Sequence, residues 1–107
     1  MQASHPEPTD HLTVEICRDL EGIVPTFLAN REKDVRTLRD ALIKHDFRTV
    51  QTIGHRMKGD GGGFGFDRIT EIGAAMERAA KLEDRLTIEQ HIVQLENFLN
   101  RVTVVYR

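Results

Sequence analysis

With a single cysteine, Cys17, among 107 residues, the chain has no means of closing an internal disulfide, which suits a reducing compartment. No apolar run approaches the roughly 18 residues of a membrane span, and no signal-peptide core opens the sequence. A cytoplasmic protein that does not enter a membrane is therefore expected. There is no block of lysine and arginine either. Fifteen basic against seventeen acidic residues leave a net charge of −2, which argues against a dedicated nucleic-acid binder. Histidines are too scattered to converge on zinc, so no metal site is expected. Cys17 lacks a histidine at a spacing that would activate it and is expected to be a small buried residue.

What is present describes one folded domain. Hydrophobic residues make up 39% and charged ones 30%, outside the range of a disordered chain. Residues 1–11, which include His5 and His11, mix prolines, histidines and acids without periodicity and are expected to form a mobile tail, with one domain over 12–107. Leu12, Ile16, Leu20 and Ile23 allow a short helix or an extended lead-in. From Pro25, Phe27, Leu28, Arg31, Val35, Leu38 and Leu42 run at helical spacing to about Lys44. His45, Asp46 and Phe47 form a tight connection, with Asp46 a candidate N-cap and His45 at a helix end where positive charge is favourable. Glycines at 59, 61, 62, 63 and 65 end or loosen the second helix. A third follows Asp67, a candidate N-cap, with Ile69, Ile72, Met76 and Ala79. A fourth starts at Asp84 or Thr87, the latter opening a capping-box pattern, and shows Ile88, Ile92, Leu95, Leu99 and Val102, with His91 at the stripe's border. The fold class expected is all-α, an antiparallel up-down-up-down four-helix bundle.

The second helix carries the chemistry. With His55 at zero and about 100° per residue, Val50, Ile53, Met57 and Phe64 fall at roughly 220°, 160°, 200° and 180°. His55 thus points to solvent, sharing its face with Arg48, Gln51, Thr52, Lys58, Gly59 and Gly62. An exposed neutral imidazole has a free lone pair and can act as nucleophile, base or ligand. Lys58, three residues on, could neutralise an anion attached to the ring. Gly59 costs roughly 1 kcal/mol in a helix relative to alanine, a cost that close access for another protein would offset. Other readings of the glycines fit less well. A P-loop needs Gly-Lys-Ser or Gly-Lys-Thr, a dinucleotide fingerprint needs a preceding strand, and a calcium loop from Asp60 would place Gly62 and Phe64 where ligand oxygens belong.

His55-Arg56-Met57-Lys58-Gly59, followed by Phe64, Gly65 and Phe66, resembles the signature of histidine-containing phosphotransfer (HPt) domains, and the resemblance extends over roughly 24–105. It implies that His55 is the phosphoacceptor, that Lys58 steadies the phosphoryl oxygens and that Gly59 keeps the approach open. Arg48, Gln51, Thr52, Arg56 and Gly62 would form the rim that docks a partner. The implied partner is a response-regulator receiver domain or a hybrid histidine kinase, with Mg²⁺ in the receiver and no cofactor in this chain. The chain would act as a monomeric phosphoryl carrier and not as an enzyme, since it has no nucleotide-binding segment. The alternative is a helical adaptor that binds a receiver or kinase through the same face without being phosphorylated. Asp60 departs from the family pattern, which has a small residue there. At roughly 140° on the wheel it faces away from His55, and an ion pair with Arg56 is expected.

Overall fold

The computed structural model describes residues 11–107, in the order β1 (Leu12–Ile16), a single 3₁₀ turn (Arg18–Leu20), α1 (Val24–Ile43), α2 (Phe47–Gly63), α3 (Asp67–Lys81), α4 (Arg85–Arg101) and β2 (Val102–Tyr106). The expected tail over 1–11 falls almost wholly outside the described residues. His11, which is described, has its ring Nδ1 3.0 Å from Thr103 Oγ1.

The four helices share one core. Leu38, Val50, Met57, Ile69, Met76, Ile88, Ile92 and Leu95 are fully buried, and the stripes that supply them repeat every three or four residues. Phe27 stacks on Phe64 with centroids 4.3 Å apart and on Phe66 at 5.6 Å, while Phe98 meets Phe66 edge-on. The rings close the end of the bundle where α1 begins and α2 ends.

The protein is mostly helical, with the four helices expected, and adds one small strand pair that an all-α fold lacks. β1 and β2 pair in parallel, Leu12 with Val102 through Ile16 with Tyr106. The lead-in is extended, followed by one turn of 3₁₀ helix, and Val102 belongs to a strand instead of the last helix. Both segments alternate every second residue: Val14 and Ile16, and Val102, Val104 and Tyr106, are less exposed than their neighbours. The run Val102-Thr103-Val104-Val105 is β-branched, which disfavours helix and suits a half-buried strand. The four-residue spacing of Leu12 and Ile16 is an even number and reads as either period.

Three connections of three residues each join the helices, and all share one hydrogen-bonding scheme. Asp46 N–H donates to Ala41 O, Phe66 N–H to Gly61 O and Asp84 N–H to Ala79 O, over 2.7–2.9 Å. The preceding residue is left-handed in each case: His45 at φ 56°, Gly65 at φ 89° and Glu83 at φ 51°. This is the Schellman helix ending. Asp46 and Asp84 then cap α2 and α4, each accepting from the backbone N–H and the hydroxyl of the threonine three residues on. Thr87 is therefore the third residue of its helix, not its cap. Asp67 is also no cap: it is the first residue of α3, and Phe66 precedes it without a side-chain bond. A left-handed non-glycine residue costs about 1–2 kcal/mol. Glu83→Gly is expected to stabilise the protein by about 0.5–1 kcal/mol after the entropy gained by the unfolded chain, read as a rise of a few degrees in Tm.

Candidate functional site

α2 and α3 approach through glycine. A Cβ built on Gly73 would lie 2.6 Å from Lys58 N and 2.7 Å from Gly54 O, and one on Gly54 would lie 2.9 Å from Glu77 N. Side chains at either position would hold the helices apart. Glu77 follows Gly73 by about one turn, so the close crossing brings its carboxylate to the exposed face of α2.

There it joins two of the residues singled out in the sequence. Glu77 Oε2 is 2.9 Å from His55 Nδ1, and Oε1 is 2.8 Å from Lys58 Nζ. The glutamate side chain is only 10% exposed, whereas that of His55 is 69% exposed. A carboxylate can only accept, so Nδ1 carries the proton and Nε2 keeps its lone pair, free toward solvent. The Lys58 bond foremost, and the His55 bond with it, hold the Glu77 carboxyl below its ordinary range against the opposing effect of burial.

Arg48, Gln51 and Thr52 line a surface hollow with His55 and Glu77, so this part of the expected rim is assembled. Gly59 has nothing within 4 Å of a Cβ built on it, and the helix runs through it and its neighbours to Gly63. Two rim residues lie elsewhere. Arg56 reaches toward α1, its Nη2 3.7 Å from Asp34 Oδ1, and this replaces the expected pair with Asp60. Asp34 is a better-placed acceptor because it is buried and held from the other side by Arg31. Gly62 donates its N–H to Thr70 Oγ1, whose hydroxyl in turn donates to Lys58 O. Cys17 is exposed, contrary to the expectation of burial, since it follows the last strand residue at the start of the 3₁₀ turn. His91 is half-buried with Nδ1 on Thr87 O, and His45 sits edge-on to Phe47.

Glu77 was not singled out in the sequence, although a signal exists. On the α3 wheel it lies roughly 80° from Ile69 and beside Gly73 at roughly 40°, a carboxylate bordering the apolar arc next to a glycine.

Among the described residues three carboxyls have lowered pKa values: Asp46 and Asp84, mainly through their threonine hydroxyls, and Glu77, mainly through Lys58. The native state thus binds fewer protons than the unfolded chain below the ordinary values of 3.8 for aspartate and 4.5 for glutamate. Their contribution is fully present above that range and is lost as pH falls through the lowered native values. Tm is therefore expected to be insensitive to these groups above about pH 5 and to fall below about pH 4, with Asp84→Asn flattening the acid limb.

Among the described residues no cluster of three or more histidine, cysteine, aspartate or glutamate side chains is placed to hold a metal, and no helix is long and apolar enough to cross a membrane. The family model described as Hpt domain matches residues 22–103. No curated protein and no solved structure matches the chain.

Proposed function

Since the chain belongs to the Hpt domain family, the phosphocarrier modules of two-component signalling, we propose that it accepts a phosphoryl group on His55 and passes it to and from the aspartate of a receiver domain. The observation that carries the reading is the exposed imidazole whose Nδ1 is held by Glu77 while Lys58 is tethered to the same carboxylate. Opposed pairs along α2 and α3, Gly54 with Glu77 and Gly61 with Thr70, support the antiparallel up-down-up-down order for the bundle.

In the forward step the Nε2 lone pair attacks phosphorus, a P–N bond forms and the P–O bond to the partner's aspartate breaks, the carboxylate leaving. The ring then bears a positive charge, which Glu77 stabilises through Nδ1–H. The reverse step restores the neutral ring. Phosphoryl transfer asks mainly for alignment and for cations on the equatorial oxygens. Lys58 has two N–H donors left beyond its bond to Glu77 and supplies one cation; the receiver brings the aspartate and a bound Mg²⁺. Gly59 leaves the approach open, and Arg48, Gln51 and Thr52 form the floor on which the partner rests. In this reading the carrier is a cytoplasmic monomer without a nucleotide site.

The test is incubation with a phosphorylated receiver domain. Label that is acid-labile and base-stable should pass to the wild-type chain; tight binding without label would instead make it an adaptor. Glu77→Gln should reduce the transfer rate about ten- to hundredfold, because a hydrogen bond to a charged group contributes about 1.5–3 kcal/mol and each 1.36 kcal/mol is a factor of ten. An unchanged rate would remove Glu77 from the mechanism.

A further inference from the structure

Charge around His55 is unevenly compensated. Glu77 cancels Lys58, so with a neutral ring that trio has no net charge. On the opposite flank of α2, Asp34 is already matched by Arg31, whose Nε is 2.8 Å from Oδ2 and whose guanidinium carbon lies 4.7 Å over the Phe27 ring. Arg56 faces the remaining oxygen, Oδ1, and its side chain is 56% exposed. The trio of Arg31, Asp34 and Arg56 therefore keeps one positive charge, carried outward by the residue next to His55. Two neighbouring groups modify it. Arg48 lies within the field of Asp46. Asp60, about one turn past Arg56, lines a second hollow with Arg31, Phe27 and Phe64 and tempers the charge from the far side.

Stability alone is a poor reason for the buried pair. Arg31 and Asp34 side chains are 9% and 10% exposed, and a well-packed apolar pair is commonly at least as stable as a buried ion pair. What the pair does provide is a buried carboxylate oxygen 3.7 Å from Arg56 Nη2, an ion-pair anchor beyond hydrogen-bond reach, for a planar fork whose N–H groups remain to be offered.

We infer that Arg56 is the cation that draws the anionic, phosphate-bearing partner onto the His55 face, and that the buried Arg31–Asp34 pair aims it. This rests on the phosphocarrier reading. Arg56 is thus a positioning residue for docking, whereas Lys58 and Glu77 belong to the reacting ring.

The experiment measures transfer from a phosphorylated receiver domain at low and high salt. Arg56→Gln should raise the apparent KM about tenfold at low ionic strength and less than twofold near 0.5 M salt, with kcat within about twofold of wild type. Asp60→Asn should lower KM at low salt. The pair Arg31→Met with Asp34→Leu leaves net charge unchanged but removes the anchor, and should raise KM about threefold; if it loses its helical CD signal, Arg56→Lys, which keeps charge and loses the fork, should show the same rise. Transfer to the Arg56→Gln variant with unchanged KM at low salt, or with a loss confined to kcat, overturns the steering role. Wild-type KM in the anchor variant, or in Arg56→Lys where that replaces it, overturns the aiming role. If the wild-type chain takes no label, the phosphocarrier reading falls and this inference with it; if it is labelled and only these variants behave as wild type, the inference alone falls.

Discussion

His55→Gln is expected to reduce label uptake from a phosphorylated receiver to background while leaving the far-UV CD spectrum unchanged and Tm within a few degrees. The imidazole is 69% exposed and its polar contact is with Glu77, which a glutamine amide can also satisfy, so the fold loses little. The chemistry loses everything, because an amide nitrogen has no available lone pair to attack phosphorus. Among the described residues no other histidine has a carboxylate on a ring nitrogen with a lysine tethered to the same group. His91 is half-buried with Nδ1 taken up by Thr87 O, His45 occupies a left-handed turn at the far end of α1, and His11 is bonded to Thr103. Radiolabel retained by the variant would move the phosphoacceptor to one of them and remove the role given to His55.

The second large effect concerns a residue that never meets a partner. Gly73→Val should destabilise the protein by about 3 kcal/mol or more, at the upper end of overpacking costs, and should also cut phosphoryl transfer steeply. The added Cβ would meet Lys58 N, Gly54 O and Met57 Cβ at 2.6, 2.7 and 2.8 Å, and backbone atoms cannot rotate away. The helices must separate, which carries Glu77 out of reach of His55 and Lys58. Gly59→Ala provides the contrast. Nothing lies within 4 Å there, so the same kind of change should stabilise α2 by up to about 1 kcal/mol through helix propensity. Thermal denaturation of both variants checks the pair of signs, and a Gly73→Val protein as stable as wild type would refute the close crossing.

These glycines mark the limit of what periodicity reveals. The exposure of His55 and the burial of Val50, Ile53 and Met57 follow from a wheel, because a helix's own geometry decides which residues share a face. The caps at Asp46 and Asp84 were likewise legible, since an aspartate three residues before a threonine satisfies two donors locally. Glu77 was marked only by its place beside Gly73 at the border of the apolar arc, because its role depends on how near one helix lies to another. That distance is set by Gly54 and Gly73 together, which a wheel of either helix alone does not relate. Arg56 illustrates the same limit: Asp60 was its neighbour along the helix, but the buried Asp34 of α1 proved the nearer acceptor. The strand pair escaped for another reason. Its partners stand at opposite ends of the chain, and each segment is only five residues long, too short for helical and extended periods to separate.

Those two strands also determine how the molecule bears tension. Because they run in parallel and in register, a pull between the chain's extremities seizes β1 at Leu12 and β2 at Tyr106, at opposite ends of the ladder. Every rung is then loaded in shear at once, and none can be peeled away singly. Bonds from Arg107 N–H to Ile16 O and from Arg18 N–H to Arg107 O extend the clasp. The bundle, with the His55 ring on its surface, is mechanically sheltered until that clasp slips.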